Sequence, residues 1–242
     1  SLKITAQLEP IRELIIDLNL DKTFSKDYTA LIKDTTGTGN NFGQLNPLFS
    51  GGFSVSYIAF NTLFGKSNPN ELSATFKEFE ANRLVVSRRV ASLNPYWQQL
   101  PANQQFTSDG YARGYGRYSQ DVLIPSFLAA YTGKDPNTIA LIKEGSSKIS
   151  ANPFRGIMPK PNWRITYTGL SKIPALASVF SNFTISHGYN GQLSMNSFSS
   201  ALLYQDPFRL NAPGFIDSTS GNFIPFFLVP NISMSERFEP LL

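Results

Sequence analysis

Between Leu14 and Asp21 the even positions are Leu14, Ile16, Leu18 and Leu20, interleaved by Ile15, Asp17, Asn19 and Asp21. A helix turns about 100° per residue and would scatter the four even positions over opposite sides, whereas a strand lines them up on one face. The segment is therefore a strand with one apolar and one largely polar face. Whether Asp17, Asn19 and Asp21 look into bulk water or a polar lumen stays open at this level.

The same period recurs along the chain. Phe53, Val55, Tyr57 and Ala59 face away from Ser54 and Ser56, and the polar stretch 34–41 reads as the turn joining this strand to the first. Trp163, Ile165 and Tyr167 alternate with Arg164, Thr166 and Thr168, while Phe183, Ile185, His187 and Tyr189 alternate with Thr184, Ser186 and Gly188. A less regular strand continues from Leu193 to Leu203, and Ile232 and Met234 alternate with Asn231, Ser233 and Ser235.

The middle of the chain changes period. Phe76, Phe79, Arg83, Val86 and Val90 recur at steps of three and four, predicting a helix within 71–93 with Lys77, Arg83, Arg88 and Arg89 on a positive surface. A Gly/Tyr-rich loop, Gly110 to Tyr118, leads into a second helix capped by Ser119, interrupted by Pro125 and closed near Gly133. Asp135-Pro136 predicts the start of a short third helix. Three regions result: strands in 1–64, helices and loops in 65–160, and strands in 161–242. The helices are short and charged, which places that block outside any bilayer.

Composition narrows the setting. Charged residues are 16% of the chain, below the roughly 25% usual for soluble domains, and aromatics reach 13% with 20 Phe and 10 Tyr. Mean hydropathy is only −0.15. That pairing suits sheets with two unlike faces, and a tilted strand needs only about 9–11 residues to cross a bilayer. The first residues, Ser1 to Ile4, carry neither an initiator Met nor a signal segment, and the chain stops at Leu242 without a polar tail. Both ends are expected to be cuts through a longer polypeptide.

Little in the sequence carries chemistry. With 0 Cys, thiolate metal sites and disulfides are excluded. The lone His187 is in phase with Phe183, Ile185 and Tyr189 and reads as a packed ring, and Ser186 beside it points to the other face. Gly110 to Gly116 lacks the Lys-Ser/Thr of a P-loop and the spacing of a dinucleotide fingerprint. Glu78/Glu80 and Glu236/Glu239 define no facing pair. The net charge of +4 is spread out, so nucleic-acid binding is not expected. The expectation is a non-enzymatic chain with no catalytic, cofactor-binding or metal residues.

Several stretches in order resemble one family: Phe79-Glu80-Ala81-Asn82-Arg83, the run Ser119 to Tyr131, Pro161 to Tyr167, Gly169 to Lys172, Ser186 to Tyr189, and Phe238-x-Pro240-Leu241-Leu242. Together they resemble the SprA/Sov proteins, the outer-membrane translocon of the Bacteroidetes type IX secretion system, linked to gliding motility. The resemblance implies mainly β structure: a segment of a very large transmembrane antiparallel β-barrel with an extramembrane helical insertion. It further implies outer-membrane lipid, a PorV-type barrel, a periplasmic plug protein and secreted cargo with a C-terminal signal as partners. On that reading Ser54, Ser56, Thr166, Thr168, Thr184 and Ser186 line a water-filled pore, and the Phe/Tyr/Ile face, Val55 included, meets lipid. Periodicity alone also admits another outer-membrane barrel or a soluble β-rich surface adhesion module.

Overall fold

A computed structural model describes residues 1–58, 71–142, 157–179, 182–205 and 214–239. Within them the protein is mixed α/β and β-rich, one antiparallel sheet of seven strands with a few helices packed on it. The strands are β1 (Leu2–Ile11), β2 (Leu14–Asp34), β3 (Phe42–Ser56), β4 (Asn162–Tyr167), β5 (Ile185–Ser200), β6 (Phe227–Leu228) and β7 (Ser233–Glu239). The helices are α1 (Ala74–Ser92), α2 (Pro95–Gln98), α3 (Ala102–Gln105), α4 (Gln120–Thr132) and α5 (Pro174–Ala177). No described helix is long and apolar enough to cross a membrane, which leaves strands untouched as a means of crossing.

Registers reduce the seven strands to five places in an up-and-down meander. Along β2, Val55 of β3 pairs with Lys22 and Asn162 of β4 pairs with Asn19. Along β5, Ser56 pairs with Gln192, the Tyr57 amide donates to the Gly191 carbonyl at 2.9 Å, and Trp163 pairs with Tyr189. Tyr57 and Asn162 thus fill consecutive places, so β3 and β4 are the two halves of one strand. The β6 and β7 strands are likewise collinear against β5, since Leu228 pairs with Ser199 and Ser233 with Ser194.

Every pairing keeps one set of residues on one face. Ile4, Leu8, Ile16, Leu18, Phe24, Phe53, Val55, Ile165, Leu193 and Met234 share the apolar face, and Thr5, Asp17, Asn19, Ser54, Arg164 and Gln192 share the other. Bulges between Thr29 and Leu31 and between Gly51 and Phe53 let the long strands twist without exchanging faces. The 34–41 stretch forms the expected turn: Asp34 accepts from the amides of Thr36 (3.0 Å) and Gly39 (2.5 Å), and Gly37 and Gly39 have φ of 70° and 77°.

The helices form as their spacing predicts. Ser73 caps α1, its Oγ accepting from the Phe76 amide at 3.1 Å, and Val86 and Val90 are buried. In α4, Ser119 holds the N-cap place without a side-chain capping bond, and Gly133 ends the helix in a left-handed conformation (φ 63°). Pro125 withholds the N–H that the Asp121 carbonyl would accept. The third helix expected at Asp135-Pro136 is a single turn instead. Asp135 bonds the Asn137 amide and side chain through its own carboxylate, stabilising a local turn that does not propagate. The Ala59 part of the predicted strand lies outside the described residues.

The core lies between the helices and the upper part of the apolar sheet face. Val86, Val90, Val122, Leu128 and Ala129 meet Phe53, Val55, Tyr57, Leu193, Met195 and Phe198. This overturns the expectation that Val55 meets lipid: the chain's own helical unit leaves it 0% exposed. The positive surface expected on α1 is also thinner than the sequence suggests. Arg89 is turned onto the carbonyls of Pro136 and Ile139, and Arg83 pairs with Glu80 at 3.0 Å over the Phe79 ring.

Candidate functional site: a two-faced sheet and its seam

Away from the helices the apolar face is bare. Leu2, Ile4, Leu8 and Ile11 of β1 are 45%, 52%, 50% and 58% exposed, and they continue sideways into Leu14, Ile165, Tyr167, Ile185 and His187, which line a shallow hollow of about 260 Å³. Strand β1 is 10 residues long.

The opposite face carries a polar groove of about 400 Å³, whose lining includes Asp17, Asp21, Asn162, Arg164, Asn190 and Arg237. Hydrogen bonds lace it across strands. Gln7 Nε2 donates to Asp17 Oδ1 (2.8 Å), Asn162 Nδ2 to Asn190 Oδ1 (3.1 Å) and Gln192 Nε2 to Ser54 Oγ (2.5 Å). The Ser194 and Ser233 hydroxyls are 2.8 Å apart. Ser54, Thr166 and Ser186 lie on this face as expected, whereas Ser56 is fully buried and its Oγ accepts the Asp21 amide at 3.1 Å.

Where the insertion leaves and rejoins the strand, side chains close the seam. The buried Asn162 accepts the Gly191 amide at 2.8 Å through Oδ1. The Lys160 amide donates to the Ser56 carbonyl (2.9 Å), and Lys22 Nζ donates to the Ile157 carbonyl (2.9 Å). Gly191 has no room for a side chain, because a Cβ there would sit 2.1 Å from the Tyr57 carbonyl oxygen. Sequence reasoning missed this seam: Ser56, Asn162 and Gly191 carry no motif, and only the register exposes their common task.

A second clamp ties the helices to the last strand. The Gln120 side chain accepts the Val229 amide at 2.6 Å and donates to the Val229 carbonyl at 3.1 Å, pairing a backbone segment that has left β5 between β6 and β7. Next to it, burial pushes the Asp121 carboxyl up to about 7, and its Oδ1 has no hydrogen-bond partner. The Gly110 to Tyr118 loop is shaped by close contacts. Ser87 Oγ donates to the Tyr115 carbonyl (2.6 Å) and accepts the Ala112 amide (2.9 Å), while a Cβ on Gly114 would overlap the Phe223 ring.

No protein-family model matches the chain, and no curated protein is similar to it.

His187 is the packed ring the sequence suggests. Its Nδ1 lies 2.9 Å from the Glu239 carbonyl, and Phe238 meets the ring edge-on at 4.8 Å. Glu236 and Glu239 pair with Gly191 and Gly188, places on opposite sheet faces, and Glu80 is engaged by Arg83. The carboxylates singled out in the sequence are therefore not brought together. Among the described residues no group of three or more His, Cys, Asp or Glu is placed to hold a metal.

Proposed function

We propose that this chain forms part of the wall of a protein-conducting outer-membrane barrel, a non-enzymatic segment whose apolar face meets lipid and whose polar face borders the conduit. The observation that carries the reading is the bare apolar band over β1 and the parts of β2, β4 and β5 nearest the Arg12-Glu13 turn, backed by a largely polar face. The 10 residues of β1 match the about 9–11 that a tilted strand needs to cross a bilayer. A lumen lined with amides, hydroxyls and mixed charges stays wet, as a wide barrel requires, where a narrow barrel would fill with bulky side chains. The order of motifs resembling the SprA/Sov proteins adds the transport role: export of folded cargo by type IX secretion, beside a PorV-type barrel and a periplasmic plug protein, in the outer membrane.

Photo-crosslinking during secretion tests this. A photoreactive residue at Asn19 or Gln192, both exposed on the polar face, is expected to capture secreted protein in transit, and one at Ile4 is not. Equal capture from both faces, or none from the polar face while secretion proceeds, contradicts the conduit.

One observation favours a second reading, a surface adhesion module. The helical unit already covers part of the apolar face with an ordinary packed core. That reading predicts a monodisperse soluble protein for residues 1–242, whereas a partial wall with open strand edges aggregates without detergent.

A further inference from the structure

We infer that the helical insertion is mounted on the lipid side of the wall, on the cell-exterior side of the membrane, and leaves the conduit clear; this rests on the wall reading proposed above. Two independent geometric facts lead there.

The first is the face. The helices pack on Phe53, Val55, Leu193 and Met195, and the strand registers put those residues on the same face as Ile4, Leu8, Ile16 and Ile165. A unit sitting in the lumen would have to pack on the face of Ser54, Asn19 and Gln192. That face instead holds the open polar groove.

The second is the end of the sheet. The bare apolar band runs from the Ile11–Leu14 row to the Leu2–Lys22 row of the first hairpin. Phe53 and Phe49 lie beyond that band, paired with Phe24 and Tyr28, and both belong to or pack against the helical core. The helices therefore cover the end of the band remote from the tight Arg12-Glu13 turn, over Val55 and Tyr57, and extend past it. At the turn end lie that two-residue turn and the longer stretch 168–184, of which residues 168–179 and 182–184 are described. At the other end are the link 201–226 and the β2–β3 arm, which runs from Thr23 to its tip beyond Asp34; the insertion leaves after Tyr57 and rejoins at Asn162, between the two ends, and packs towards this one. Outer-membrane barrels keep short turns on the periplasmic side and long excursions outside the cell. The insertion thus forms an external shelf at the upper edge of the lipid-facing band. Lys22 and the insertion's Ile157 are joined by a hydrogen bond at that boundary, and the neighbouring Met158 is 78% exposed.

The test uses single cysteines in the full chain in cells. Ser92→Cys and Gln98→Cys, both exposed on the helical unit, are expected to react with a membrane-impermeant maleimide in intact cells. Arg12→Cys is expected to react only after the outer membrane is permeabilised. In the purified protein reconstituted with brominated lipid, a bimane label on Met158→Cys is expected to be quenched. Labelling of Arg12→Cys in intact cells with protection of Ser92→Cys would overturn the side, and an unquenched Met158→Cys would overturn the lipid-facing position. Recovery of the protein outside the outer-membrane fraction overturns the wall reading itself, and with it the placement.

Discussion

Tyr57 and Asn162 occupy consecutive places in one strand of the sheet, although residues 58–161 separate them in sequence. Both halves keep the same partners, β2 on one side and β5 on the other, so the sheet does not depend on the insertion for its register. Joining Tyr57 directly to Asn162 is expected to preserve the pairing of Thr166 with Ser186, read as disulfide formation between Thr166→Cys and Ser186→Cys in the shortened and the full chain alike. The shortened chain also uncovers Val55 and Leu193, and it is expected to bind an apolar-surface dye more strongly.

The seam makes two neighbouring glycines unequal. Gly191→Ala drives a methyl against the Tyr57 carbonyl oxygen, whereas at Gly188 the nearest atom is the movable Glu239 carboxylate at 3.3 Å. Overpacking of this kind costs roughly 1–3 kcal/mol or more. Thermal unfolding is expected to show a clear loss for Gly191→Ala and little change for Gly188→Ala.

Gln120 is the only side chain seen holding the Val229 backbone among the described residues, through both the nitrogen and the oxygen of its carboxamide. Gln120→Ala leaves a donor and an acceptor without partners, at about 1–3 kcal/mol for each group that stays buried. Gln120→Glu keeps the acceptor for the Val229 N–H and is expected to lose less, a ranking that urea unfolding measures directly.

Asp121 makes stability depend on pH. Its carboxyl is raised by burial from 3.8 to about 7 in the folded state, so between those values the folded protein holds a proton that the unfolded chain has released. Stability from this group is greatest at low pH and falls as pH rises towards about 7, then levels off. Asp121→Asn is expected to flatten that slope and to raise the melting temperature at pH 8 relative to the unsubstituted protein.

Much of the sheet could be read from period-two alternation because each strand keeps its faces unmixed, from Leu14 to Leu20 and from Trp163 to Tyr167. The two main helices were legible for the same reason at period 3.6, with Gly133 marking an end. The destination of an apolar face was not legible. Val55 and Ile4 carry the same local pattern, yet one is sealed under α1 and α4 and the other is bare. Which of the two happens depends on a helical unit close in space and distant in sequence. Asp135 failed as a helix start because its carboxylate satisfies the local backbone in a single turn. The seam was hidden because Ser56 and Asn162 acquire their roles only when the two half-strands meet.

A wall with lipid on one side and water on the other sets apart the adjacent residues Ile4 and Thr5 of β1, which are exposed on opposite faces of one strand. With the protein in its membrane, a water-soluble maleimide is expected to label Thr5→Cys and to spare Ile4→Cys until detergent is added. Equal labelling of both before detergent, or labelling of Ile4→Cys alone, would contradict the account.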